Sequence, residues 1–253
     1  NNRKYPIADY SLTPTVAIVD PALVLTVPGF VAADTGMDVL THATEAYVSQ
    51  MASDYTDGLA LQAIKLVFEN LESSVKNADF HSREKMHNAS TIAGMAFANA
   101  FLGISHSMAH KIGAQFHTVH GRTNAILLPY VIRYNGTRPA KTATWPKYNY
   151  YRADEKYQDI ARMLGLPAST PEEGVASYAK AVYELGERVG IEMNFKAQGV
   201  DEKEWKEHSR ELAFLAYEDQ CSPANPRLPM VDHMQEIIED AYYGYKERPG
   251  RLK

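Results

Sequence analysis

The chain has 253 residues, with 45% hydrophobic and 23% charged side chains and a net charge of -5. That balance excludes collagen-like, low-complexity and integral-membrane classes, and 26 basic against 31 acidic residues argues against a general nucleic-acid binder. Cys221 is the single cysteine, so neither an internal disulfide nor a cysteine-rich zinc site is available, and an unpaired thiol fits a reducing compartment.

The chain opens Asn1-Asn2-Arg3-Lys4, without an initiator Met or a secretory signal. Residues 15–19 (Thr-Val-Ala-Ile-Val) read as a short buried strand closed by Asp20-Pro21. A lone buried strand needs neighbours to pair its backbone groups. No later run reads as a partner, so residues 1–30 are expected to be the last edge of another domain. The sequence is accordingly read as a piece of something longer.

From there the pattern is helical. Leu61, Ile64, Phe68 and Leu71 recur at threes and fours, which is one helical face. Helices are predicted over residues 36–52, 57–75, 83–101, 106–117 and 122–134, the last despite Pro129. The longest apolar run, residues 125–132, is far short of the roughly 20 residues that span a bilayer. Residues 135–152 hold two prolines and no period, and read as a long loop. Three later helix starts carry cap signatures: Thr170 with Glu173, Asp201 with Glu204, and Asp232 with Gln235. No internal repeat is visible. The expected fold is mainly α: a helical domain of eight or nine helices over residues 31–253, preceded by a remnant strand. Cytoplasmic residence is the default, with no nucleic-acid or membrane partner.

Four of the nine histidines fall close together: His106, His110, His117 and His120. His106 and His110 are one helical turn apart, and His117 and His120 follow at i and i+3. Neutral imidazole binds Zn, Fe, Cu and Ni. Upstream, Asp38 and His42 stand at i and i+4, where a carboxylate and an imidazole can grip one ion. One oxygen with two or three nitrogens suits Fe²⁺ or Zn²⁺ rather than Ca²⁺ or Mg²⁺. Spacing does not say which of the six side chains bind, and it leaves His110 open as ligand, proton relay or core residue. His81, His87, His208 and His233 are assigned no role.

Several standard chemistries fail on detail. A zincin needs Glu after its first His, and here Ser107 stands there. The chain contains no His-Asp dipeptide, no Gly-x-Ser-x-Gly elbow, no Gly-x-Gly-x-x-Gly turn and no Walker loop. Nothing local marks Cys221 as a nucleophile.

Taken together, Asp38-x-x-x-His42, His106-Ser-Met-Ala-His110 and His120-Gly121 resemble the metal signature of the iron-dependent (group III) alcohol dehydrogenases. Residues 34–47, residues 106–121 and Asp219-Gln-Cys-Ser-Pro-Ala-Asn-Pro-Arg227 are similar to the alcohol dehydrogenase part of the bifunctional aldehyde–alcohol dehydrogenases. The resemblance covers essentially the whole chain. It implies Asp38, His42, His106 and His120 as ligands of Fe²⁺, with Zn²⁺ as the alternative. It places His110 near the nicotinamide of NAD(H), as relay rather than ligand, and Phe97 on the wall of that pocket. Where many members have Pro before the last ligand this chain has Val119. Where single-function relatives have Gly and Pro, it has Ser107 and Lys111, which points to the bifunctional branch. The resemblance further implies reduction of acetaldehyde and other short-chain aldehydes to alcohols and the reverse. It implies an upstream α/β nucleotide-binding domain, without which this piece is expected to be inactive, and homo-oligomers that extend to filaments. A purely structural assembly domain and a non-redox metal-dependent hydrolase or lyase are the competing readings.

Overall fold

The computed structural model describes Lys4, residues 6–139 and residues 151–246. Among these residues there are nine α-helices and no strand: α1 (Gly29–Val48), α2 (Asp54–Lys76), α3 (Phe80–Ala100), α4 (Ile104–Phe116), α5 (His120–Gly136), α6 (Ala153–Met163), α7 (Pro171–Arg188), α8 (Glu202–Tyr217) and α9 (Val231–Tyr243). No single helix among them is long and apolar enough to cross a membrane.

The expected strand at 15–19 does not form. Val16 is 75% exposed and Ile18 87% exposed, between two short 3-10 turns at Tyr10–Leu12 and Pro21–Val24. A strand is stable only when neighbours complete its hydrogen bonds, and the described residues offer none. What ties the end of this segment down is Arg83 of α3, whose guanidinium donates to the carbonyls of Val24 (3.2 Å) and Val27 (2.8 Å).

The five predicted helices all exist, with shifted ends. The largest shift is in α1, which begins at Gly29 directly after Pro28 rather than at 36. α1 is buried nearly all round, packed against α2, α3 and α5. In α2, Ile64 and Leu71 are wholly buried and Leu61 and Phe68 pack at the core edge. Each fully buried aliphatic side chain of this kind contributes about 1.5–3 kcal/mol. α5 packs against α1, α4 and α7 and runs unbroken through Pro129. Most of the predicted loop at 135–152 lies outside the described residues; its first two positions, Asn135 and Gly136, finish α5.

Two of the three cap signatures hold. Thr170 Oγ1 accepts from the Glu173 amide at 3.2 Å, and Asp201 Oδ1 accepts from the amides of Lys203 (2.9 Å) and Glu204 (3.0 Å). Asp232 is different: it lies inside the first turn of α9, and the Met230 amide at that end donates to His233 Nδ1. Asp232 instead pairs with Arg210 of α8 at the surface.

Candidate metal centre

Three helices converge on one point because each is fixed there by its neighbours. α1 presents Asp38 and His42 one turn apart, and Glu45 follows on the same face. α3 and α4 meet at a bend of 107° across three residues. Phe101, in that bend, has φ 62°, a conformation disfavoured for a side chain of its size. The bend aims the N-terminus of α4 into the protein, where its free amides need acceptors. Glu45 provides them: Oε2 accepts from Gly103 (3.0 Å) and Oε1 from Ser105 (2.7 Å). Asn225 Oδ1 accepts from Ile104 at 3.4 Å. His106 and His110 follow on the first turns of this helix.

His120 is the first residue of α5. The next position must be glycine, because a Cβ on Gly121 would run into the backbone carbonyl of Asp34 and stand 3.1 Å from Cβ of Asp38. Arg122 locks the same crossing with a bidentate pair to Asp34, at 2.9 and 3.0 Å. The absent side chain and the ion pair together bring His120 against α1.

The structure brings Asp38, His42 and His106 together, with one donor atom from each mutually within 4.8 Å. Asp38 Oδ1 lies 3.6 Å from His106 Nε2 and 3.9 Å from His120 Nε2. The His106 ring is 4.5 Å from that of His42 and 5.5 Å from that of His120. Asn124 donates to Asp38 Oδ1 at 2.8 Å and also faces His120 Nε2 at 3.3 Å. His106 Nε2 is buried and makes no hydrogen bond, although its own Nδ1 is 2.6 Å from Glu45 Oε2. A buried ring nitrogen without a partner is costly, with or without its proton. Set beside a carboxylate oxygen and a second imidazole, it is the donor set a borderline divalent metal takes. These residues therefore fit the metal implied by the sequence.

The electrostatics divide the imidazoles, with His42 and His120 held neutral and His106 holding a proton that a bound metal would displace. Burial opposes the charge on Asp38, but His106 close beside it and the neighbouring imidazoles of His42 and His120 outweigh that and hold it well below the carboxylate range. Burial, together with the charge of His106, lowers His42 to about 4. Burial also dominates at His120 and lowers it to about 3. His106 goes the other way, to about 9: burial opposes the rise, and the two carboxylates flanking it, Asp38 and Glu45, drive it.

His110 lies beside this group and its ring stacks on His120, at 5.4 Å and 8°. Its Nδ1 is 3.2 Å from Asp219 Oδ2, and Lys111 Nζ reaches the same oxygen at 2.7 Å. His110, Asp219 and Cys221 form a second compact group of ligand-type atoms. There, however, Asp219 already has a cation on one oxygen and the Cys221 amide on the other, at 3.1 Å. Burial and then Asp219 push the Cys221 thiol up, which agrees with its exclusion as a nucleophile. His117, the fourth member of the sequence cluster, is exposed and caps α4 in the left-handed conformation, away from the centre. Phe97 of α3 stacks on His42, 4.6 Å and 18° apart, so it walls the site on that side.

Sequence reasoning missed Glu45, Asn124, Asp219 and Asn225 as site builders. Glu45 alone had a local signal: with Asp38 and His42 it stands at i, i+4 and i+7.

Residues 32–242 match the model of the C-terminal region of the Fe-containing alcohol dehydrogenase family. The chain is 97% identical over its full length to an aldehyde-alcohol dehydrogenase of Streptococcus pneumoniae serotype 2, of which it spans 29%. It superimposes with a TM-score of 0.82 on an iron-containing alcohol dehydrogenase of Thermococcus thioreducens, at 35% identity over 94% of this chain and 57% of that one. A sulfoacetaldehyde reductase from Bifidobacterium kashiwanohense in complex with NAD+ gives 0.75 at 29% identity, over 93% of this chain and 56% of that one. With the ligand-type cluster placed at the meeting of α1, α4 and α5, these matches show that the chain belongs to the Fe-containing alcohol dehydrogenase family and carries its C-terminal helical domain.

Proposed function

We propose that this chain is the metal-binding part of an alcohol dehydrogenase that interconverts short-chain aldehydes, acetaldehyde first, and their alcohols with NAD(H). The observation that carries the reading is the unpartnered His106 Nε2 among Asp38, His42 and His120. Those four side chains would hold Fe²⁺, and the ligand chemistry admits Zn²⁺ as well. The metal would supply Lewis acidity toward a substrate oxygen, and the nicotinamide the hydride chemistry.

The remaining work belongs to the chain's own residues. Asp219 grips His110 Nδ1 and leaves Nε2 as the nitrogen that exchanges a proton between substrate and solvent. Lys111 neutralises Asp219 and keeps that carboxylate from drawing charge out of the centre. Phe97, stacked on His42, offers an apolar face to the cofactor side of the site and excludes water from it. The segment before α1 is the end of an upstream nucleotide-binding domain, and its exposed apolar side chains at Val16, Ile18 and Leu23 are surface for that domain to cover. The chain alone is therefore a metal binder with little NADH-dependent turnover. The intact protein is a cytoplasmic homo-oligomer that assembles into filaments.

The test is metal content by elemental mass spectrometry after anaerobic reconstitution with Fe²⁺ and gel filtration. One iron per chain, lost in Asp38→Ala and in His106→Ala, is expected. Iron retained at the same level in either variant overturns the ligand set.

A further inference from the structure

His106 is held from both sides. Its Nε2 faces Asp38 at 3.6 Å, and its Nδ1 meets Glu45 Oε2 at 2.6 Å. Glu45 is 2% exposed and sits on α1, one turn beyond His42. Both of its oxygens are committed on one side only, toward α4: Oε1 to the Ser105 amide, and Oε2 to the Gly103 amide and His106. All three of those partners offer N–H groups, so a carboxylate, which is acceptor only, satisfies every one. The fit is tight as well, since a Cβ added at Gly103 would stand 2.9 Å from Glu45 Oε1.

We propose that Glu45 is a positioning residue for metal capture: it keeps the proton on His106 Nδ1, leaves Nε2 as the nitrogen that faces Asp38 and His42, and fixes the ring in that orientation. Through the same two oxygens it pins the first turn of α4 to α1, so two of the helices that supply ligands are registered by one side chain. This inference rests on the metal reading of the Asp38, His42, His106 and His120 cluster. A metal-bound imidazole is oriented by what its other nitrogen donates to, and loss of such a partner costs about 10–100-fold in metal affinity.

The informative variant is Glu45→Gln. Its amide group cannot accept from His106 and from both backbone amides at once, and turned toward Nδ1 it donates where a proton should sit. In the full chain, Co²⁺ titration with a competing chelator should show binding weakened at least 10-fold, with the visible spectrum of the bound ion altered. Binding within threefold of the parent and an unchanged spectrum overturns the proposal. A second measurement needs no variant: long-range ¹⁵N spectra of the parent chain loaded with Zn²⁺. His106 should show a protonated Nδ1 and a metal-bound Nε2; coordination through Nδ1, or an Nδ1 without a proton, overturns it even if Glu45→Gln fails to fold. Failure of the underlying reading looks different: the parent chain would take up neither metal. That result removes this inference along with it, whereas tight parent binding insensitive to Glu45 removes only the inference.

Discussion

Two groups of ligand-type side chains lie within one helical turn of each other on α4. Asp38, His42 and His106 meet with a buried imidazole nitrogen unpaired. His110, Asp219 and Cys221 meet just as closely, but Lys111, His110 and a backbone amide already occupy the oxygens of Asp219. Residue type and proximity are the same in kind. The difference is what is left over: in the second group an ammonium group and a backbone amide pair the carboxylate, and in the first, where Asn124 bonds Asp38, a buried imidazole nitrogen has no hydrogen-bond partner. A buried polar atom without a partner is costly, so the ring nitrogen the protein leaves unpaired decides which cluster is left for an ion.

That contrast can be attacked through Asp219. In Asp219→Asn the Lys111 charge loses its anion, and because the Lys111 side chain is 11% exposed the loss is expected at the low end for a buried pair, about 3 kcal/mol by chemical denaturation. Iron stoichiometry should stay at one per chain; a drop to zero would show that the two groups act as a single site.

The same carboxylate gives a pH signature. Burial works against its charge, but its bonds to His110 and Lys111 prevail and lower it to about 2. Its stabilising contribution is present above the ordinary carboxylate range near 4 and is lost as pH falls through about 2. Acid unfolding curves of the parent and of Asp219→Asn should therefore converge between pH 4 and 2, and curves that stay parallel would assign the pair no role in acid sensitivity.

On the first group, Gly121→Ala tests how closely α1 and α5 must approach. The new methyl meets backbone rather than a flexible side chain, so a loss of about 1–3 kcal/mol and weaker metal binding are expected together. A variant of parent stability would show that the helices separate freely. The smallest effect is expected far from both groups, at Thr170→Ala, about 1 kcal/mol from the lost cap on α7, with iron content untouched.

Much of the helical framework was legible because its signals are local. Thr170 and Asp201 announce helix starts within four residues of themselves, and Ile64 and Leu71 mark a buried face by spacing alone. The same logic failed at Asp232, where a long-range pair with Arg210 replaced the cap that spacing suggested. It failed at residues 15–19, whose strand propensity has no effect without a partner to pair with. The metal cluster was legible as a list of six candidates, and the fold brings Asp38, His42, His106 and His120 together while leaving His117 on the surface. Asp219 was not legible as the partner of His110, because 109 residues separate them. Asn225 reaches α4 across 121 residues, again through tertiary packing that no local pattern encodes.

The missing Cβ at Gly121 has one more consequence. What stands opposite it is the carbonyl of Asp34, part of a helix backbone that cannot rotate aside as a side chain can. The separation of α1 and α5 is thus set by hard contact with no adjustable part between them, and the 3.9 Å from Asp38 to His120 inherits that fixed dimension. The glycine behaves as the thinnest shim in the assembly: any thicker residue would resize the opening that these side chains present to an ion, and every neighbouring side chain would remain the same.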